Sequence, residues 1–279
     1  MTIEVGATTS WTRPPAVAGT FYPNGSDELR RMVRSFLNNA QGGESTTTPK
    51  AMIAPHAGYI FSGPIAASAY AHIATLKGTV ERVILIGPSH RVALSGLATS
   101  SAAAFETPVG SVELDRDAIN TILDLPQVHL IDEAHAREHS LEVHLPFLIE
   151  MLGLGSFKLV PLAMGNVSSE QIAEVFEALW GGRETLIVVS SDLSHYHDYD
   201  TANQLDSATS RAIEALAPND INAEQACGRP AIQALLIEAQ RHGLSATTVD
   251  QRNSGDTAGK AMRLQGRNEV VGYGAWIFR

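Results

Sequence analysis

A single cysteine, Cys227, stands in 279 residues, so no disulfide can form within the chain. Its one thiol is either a small buried hydrophobe or a ligand or nucleophile, and a reducing compartment suits it. Long hydrophobic runs are missing as well: no segment approaches the roughly 20 apolar residues that a membrane-spanning helix needs. The opening MTIEVGATTSWTRPP has neither the basic start nor the continuous apolar segment of a secretory leader, which leaves a cytoplasmic location as the expectation. Basic charge is scarce, with 20 Lys and Arg against 30 Asp and Glu and a net charge of −10. Without a basic block such a chain repels a phosphate backbone, so nucleic acid is not an expected partner. Familiar catalytic loops are also absent. GYIFSGP (58–64) has glycines but no lysine or downstream threonine of a phosphate loop, and DTAGKAM (256–262) does not follow a Gly-rich strand turn. There is no GxSxG elbow and no HExxH pair.

What is present is enough for a large core: 44% of residues are hydrophobic and 18% charged, with a mean hydropathy of −0.02. No break in composition divides the chain, so residues 1–279 are read as one domain. SDELRRMVRSFLNN predicts an amphipathic helix capped by Ser26, with Leu29, Met32, Val33, Phe36 and Leu37 on one face. SSEQIAEVFEALWGG predicts another, opened by a capping box of Ser168 and Gln171 and stopped at Gly181. QGGESTTTPK between such elements reads as a polar, mobile loop. Short apolar runs alternate with the helices: AMIAP (51–55), RVILIG (82–87), FKLVPLA (157–163) and TLIVVS (185–190). Runs this apolar are strands buried on both faces, and their alternation with helices predicts an α/β fold with a largely parallel central sheet covered on both faces by helices. EVVGYGAWIF alternates enough to be an edge or antiparallel addition, and SVELD a similar short strand.

The ends of those strands carry the chemistry. AMIAP runs into His56, RVILIG into Pro88-Ser89-His90, and TLIVVS into Ser191-Asp192-Leu193-Ser194-His195. Open α/β sheets bind ligands at the carboxyl ends of their strands, so three elements deliver imidazoles to one rim. Cys227 lies just ahead of a predicted helix with Pro230 at its first position and Ile232, Leu235, Leu236 and Ala239 facing inward. A helix N-terminus favours a thiolate there.

APHAGYIFSG, IGPSH, ETPVGSVELD, REHSLEVHLPFL, SSDLSHYHDYD and ACGRPAI occur in this order from about Ala18 to Phe278. Together they resemble the Memo family, including its prokaryotic branch called AmmeMemoRadiSam system protein B. The resemblance covers nearly the whole chain and implies the fold of the class III extradiol, non-haem iron dioxygenases. It further implies a metal pocket formed by His56, His90 and Cys227 with Asp192 and His195 beside it, and a setting that includes a radical-SAM protein and an AMMECR-type partner.

Two imidazoles and a carboxylate make the facial triad of Fe(II) oxygenases; here a thiolate would stand third, which shifts the preference to Cu(I), Zn or thiolate-bound iron. One transition metal is expected, iron or copper ahead of zinc. His195 is the expected general acid/base, and Asp192 either orients it or binds metal. His197 and Asp198 are read as solvated loop residues. In AHAREHSLEVHLPFLIEML, His135 and His139 would share a helix face whereas His144 would diverge, so a second metal set is discounted and Leu141, Leu145, Leu148 and Leu152 make a core stripe. The family likeness of that segment suggests that Glu142 or His144 lines the pocket. Tyr59, Phe61, Phe21 and Tyr22 are either apolar walls for an aromatic small-molecule or peptide ligand or members of the packed core. Three readings stay open: a metal-dependent redox protein, a metal-free hydrolase or transferase using Cys227, His195 and Asp192 as a triad, and a non-catalytic peptide-binding module.

Overall fold

A computed structural model describes residues 11–40, 48–257 and 269–279. Most of the MTIEVGATTSWTRPP opening, most of the QGGESTTTPK loop and most of DTAGKAM lie outside the described residues. The chain begins with β1 (Thr12–Arg13), α1 (Ser26–Asn38), β2 (Ala51–Ala54), α2 (Tyr59–Tyr70), β3 (Arg82–Pro88) and β4 (Leu97–Thr99). Next come β5 (Ala104–Thr107), β6 (Gly110–Glu113), α3 (Arg116–Ile122), β7 (Val128–Leu130), α4 (Glu133–Ala136) and α5 (Leu145–Leu152). Then follow β8 (Lys158–Met164), α6 (Ser169–Leu179), β9 (Thr185–Ser190), β10 (His195–His197) and α7 (Tyr199–Glu214). The last elements are α8 (Arg229–Arg241), β11 (Ala246–Asn253), α9 (Ser254–Thr257) and β12 (Val270–Phe278).

The four apolar runs become the middle of a nine-stranded sheet, in the order β2-β9-β3-β8 and all parallel. Every residue of β9 is buried. Neighbouring side chains of a strand point to opposite faces, so complete burial requires cover on both. α8 packs on β9 and against α6, while α2 packs on β2 and against α1 and α5. Burying Leu186, Ile187, Val188 and Val189 contributes roughly 1.5–3 kcal/mol per side chain over exposure, enough to outweigh any local preference and fix β9 at the centre.

The outer strands are antiparallel or short. β12, from the EVVGYGAWIF run, pairs antiparallel with β2 but is no edge, because β10 and β11 pair with it in turn. β4 pairs antiparallel with β8 and carries β7. SVELD supplies β6 of a separate three-stranded sheet, β1-β5-β6. Ser26 is the first residue of α1, and Gly25 takes the cap position without a side-chain bond. Ser168 and Gln171 form the expected reciprocal box at the start of α6. α8 opens at Arg229, one residue before Pro230, and buries Ile232, Leu235, Leu236 and Ala239. The AHAREHSLEVHLPFLIEML stretch is not one helix: α4 stops at Ala136, a 3-10 turn spans Glu142–His144, and α5 begins at Leu145. Its leucine stripe is nevertheless buried in full.

Candidate metal centre

β2, β9 and β3 lie side by side and end at Ala54, Ser190 and Pro88, and His56, Asp192 and His90 each sit two residues past those ends. Adjacent strands run about 4.8 Å apart, so this spacing sets the two imidazoles on either side of the aspartate. The fourth element arrives from α8. Gly228 lets it: a Cβ there would lie 2.6 Å from Ser191 Cβ and 2.8 Å from the Ser190 carbonyl oxygen. The Gly228 N–H donates to Ser191 Oγ at 2.9 Å, and the Asp192 N–H points at Cys227 Sγ from 3.3 Å. Cys227 Sγ thereby stands 3.5 Å from His56 Nε2. One donor atom from each of His56, His90 and Cys227 falls within 4.8 Å of the others.

The hydrogen-bond directions fix which ring nitrogen each imidazole presents. Ser190 Oγ has one proton and gives it to the Ser140 carbonyl at 2.6 Å. It can therefore only accept from the rings it touches, His56 Nδ1 at 2.7 Å and His144 Nε2 at 2.9 Å. His144 Nδ1 then accepts from Tyr70 OH at 2.8 Å, which closes the chain without an orphan. His90 Nδ1 donates to Glu138 Oε1 at 2.9 Å, and His195 Nδ1 to the Leu193 carbonyl at 2.8 Å. In His56, His90 and His195 alike, Nδ1 is thus the donor to a fixed partner and Nε2 is the nitrogen turned away from it. A histidine that is to bind a metal through Nε2 is held in this way by a carboxylate, carbonyl or hydroxyl behind it.

Burial, with His90 and His139 nearby, drives His56 well below the usual imidazole range, so its ring is neutral at pH 7. Burial opposes the charge on Glu138, but hydrogen bonds from His90 and the Ser140 N–H outweigh it and hold the carboxyl at about 2. Asp192 is raised, chiefly by burial, although its Oδ1 accepts the His56 N–H at 2.8 Å. Cys227 departs from expectation. Burial first, and the Asp192 carboxylate second, push its thiol up to about 12, overriding the start of α8 that was expected to lower it. A coordinated cation reverses that balance, because it deprotonates a ligating thiol outright.

The other expected residues divide between this centre and the core. His195 follows Asp192 into β10, but its ring is oriented by the Leu193 carbonyl and not by the Asp192 carboxylate. The next residue, Tyr196, is 74% exposed in the left-handed region with φ 61°, an uncommon state for a bulky residue, beside the centre. Phe21 lies at the rim, its ring centroid 4.5 Å from that of His139, while Phe61 is half-buried against the core. Tyr59 is no pocket wall: it is fully buried and its hydroxyl donates to the Val143 carbonyl at 2.6 Å. Tyr22 is buried too, bonded to Glu142. Glu142 does not line the opening either, because it pairs with buried Arg13 at 2.6 Å and accepts the N–H groups of Ala16 and Val17, which ties the N-terminal segment down. His144 stands behind His56, both rings bonded to Ser190 Oγ. Asp198 caps α7, and His197 is half-buried in β10.

Two residues that belong here were set aside in the sequence. The chain breaks its helix between Ala136 and Glu142, which turns Glu138 and His139 inward; the His139 ring stacks on His90 at 4.6 Å and meets His56 edge-on at 5.5 Å. His90, Glu138 and His139 also bring donor atoms within 4.8 Å of one another. The adjacency of an acid and a histidine just after a helix end was the available signal. Ser190 gave a fainter one, as the lone hydroxyl closing an apolar strand.

The donor set fits a metal ion. With bonds of about 2.0–2.1 Å to nitrogen and 2.3 Å to sulfur at a tetrahedral angle, N and S lie about 3.5 Å apart. The observed Sγ to Nε2 distance is 3.5 Å. Two imidazoles and one sulfur would leave further positions of such an ion open.

Known proteins resemble the chain in sequence over nearly its whole length. The profile of the Memo-like protein family matches residues 13–277. A MEMO1 family protein of Ignicoccus hospitalis is 36% identical, over 95% of this chain and 98% of the relative. One from Methanopyrus kandleri is 34% identical over 96% and 99%, and one from Aquifex aeolicus 35% identical over 95% and 98%. With a profile match over residues 13–277 and relatives of this identity over nearly their full lengths, the chain belongs to the Memo-like protein family.

Proposed function

We propose that this protein is a metal-dependent redox protein, built as one folded unit related to the class III extradiol dioxygenases, with His56, His90 and Cys227 as the ligands of one transition-metal ion. Two imidazoles from separate strands, each with Nδ1 committed to a partner behind it and each with a donor atom within 4.8 Å of one sulfur, carry this reading. An iron or copper ion held there would supply a Lewis-acidic, redox-active centre with open positions. Sulfur in the donor set speaks against simple extradiol cleavage and for iron or copper held by a thiolate.

The chain's own groups do the rest. Glu138 and Ser190 hold the His90 and His56 rings against rotation. His195, half-exposed beside the centre, is the group to take or give a proton at Nε2. Asp192, buried and raised, accepts the His56 N–H and anchors the loop that carries His195. Phe21, His139 and Tyr196 offer aromatic contact to a small-molecule or peptide ligand at the rim. We place the protein in the cytoplasm and, following the family resemblance, beside a radical-SAM protein and an AMMECR-type partner. Among the described residues no helix is long and apolar enough to cross a membrane.

The metal-free nucleophile is the weaker reading, because a thiol raised to about 12 is almost wholly protonated at pH 7. Elemental analysis of protein purified without oxygen decides between them. One equivalent of iron or copper, lost in His56→Ala and in Cys227→Ala and retained in His195→Ala, is the expected result. No bound metal, together with acylation of Cys227 by thiol-directed substrates, would overturn it.

A further inference from the structure

The far end of α8 holds a second set of donors. Glu238 lies in its last turn and His242 just past it, four residues on and therefore on one face. Glu177, from the last turn of α6, meets them. Glu238 is 0% exposed, and its Oε1 accepts from Arg241 Nη1 at 2.7 Å. Its Oε2 is buried and has no hydrogen-bond partner among the described residues. That oxygen faces His242 Nε2 at 3.5 Å, and the same nitrogen is 2.9 Å from Glu177 Oε2. The His242 ring is held by Trp180, stacked on it at 4.0 Å and 9°. One donor atom from each of the three residues falls within 4.8 Å of the others.

Two carboxylates this close, one of them sealed from water, sit at the negative ends of two helix dipoles and call for a cation beyond Arg241. We propose that Glu177, Glu238 and His242 form a second metal site, taking a borderline divalent ion of the Zn(II) class and stapling α6 to α8. An imidazole with two carboxylates suits such an ion better than calcium, which takes six to eight oxygens. Side-chain exposures of 56% for Glu177 and 31% for His242 give an entry path and a water position. Cys227 precedes α8 and His242 follows it, and a helix of 13 residues spans about 20 Å, so the two centres load independently.

The test uses the full chain, stripped of metal and titrated with Zn(II) and, separately, Co(II). His56→Ala/Cys227→Ala protein is expected to keep one Zn(II) equivalent and to lose it when Glu177→Gln and His242→Ala are added. In the otherwise native chain, Glu177→Gln/His242→Ala should lower the stoichiometry by one while the thiolate-to-Co(II) absorption of the first centre stays intact. That absorption is read separately, so its absence from the native chain would count against the first centre alone. Equal stoichiometry in the native chain and in Glu177→Gln/His242→Ala would overturn the second site and leave a proton shared among the three side chains.

Discussion

Replacing Ser190 by alanine tests how the centre is built. Its Oγ serves three buried groups at once, the Ser140 carbonyl, His56 Nδ1–H and His144 Nε2–H, at 2.6, 2.7 and 2.9 Å. Each buried donor left unmade costs about 1–3 kcal/mol, and the carbonyl costs less because a second lone pair remains. The two orphaned ring donors therefore sum to about 2–6 kcal/mol, with a smaller addition from the weakened acceptor. A domain stable by about 5–15 kcal/mol stays folded but loses much of its margin. Urea unfolding followed by far-UV circular dichroism, at unchanged m, reads this loss. The same substitution frees the His56 ring to rotate and to move its proton, and metal affinity should fall about 10–100-fold, the usual cost of losing an outer partner. A chelator competition reads that. A stability loss below about 1 kcal/mol would refute the hydrogen-bond assignment. Full stability loss with unchanged affinity would refute the link between tautomer and metal.

Other perturbations separate the parts. Glu142→Gln leaves Arg13 buried with its ion pair broken, at 2.6 Å in the native chain, and should cost about 3–5 kcal/mol in urea unfolding while metal content holds. Gly228→Ala must push the α8 entry away from Ser190 and Ser191; the protein should fold, and Co(II)-loaded protein should lose its thiolate absorption. Asp206 is buried with its carboxyl pushed up to about 6, chiefly by burial, from an ordinary 3.8. A folded-state pKa above the unfolded one means this group's stabilisation is complete below about 3.8 and disappears as pH rises through about 6, a loss of ~3 kcal/mol. Asp206→Asn removes that slope, so its stability relative to the parent should rise by that order between pH 4 and 6 in urea midpoints; parallel profiles would refute the shift.

The sequence exposed what depends on period and burial, and hid what depends on where the chain breaks. β9 matches its apolar run residue for residue, because complete burial leaves no other reading of TLIVVS. His56 and His90 were legible for the same reason: a polar ring directly after a buried strand has only the sheet rim to occupy. Glu138 and His139 were not, since assuming one helix from Ala134 to Leu152 spread the polar groups over different faces. The helix in fact stops where Arg13 docks, its guanidinium donating to the carbonyls of His135 at 2.7 Å and Glu138 at 2.8 Å. Those carbonyls would otherwise bond onward along a helix, so a residue more than a hundred positions away decides the local structure. Glu142 hid for a related reason, since its partners Arg13, Ala16, Val17 and Tyr22 lie in a segment with no helical or strand period. Cys227 was placed correctly ahead of α8, yet its protonation was not: proximity to a helix start lowers a thiol only while water or a cation shares the charge. Buried beside Asp192, the sulfur stays protonated at pH 7, a poor nucleophile, and only the metal ion proposed above would take the proton's place.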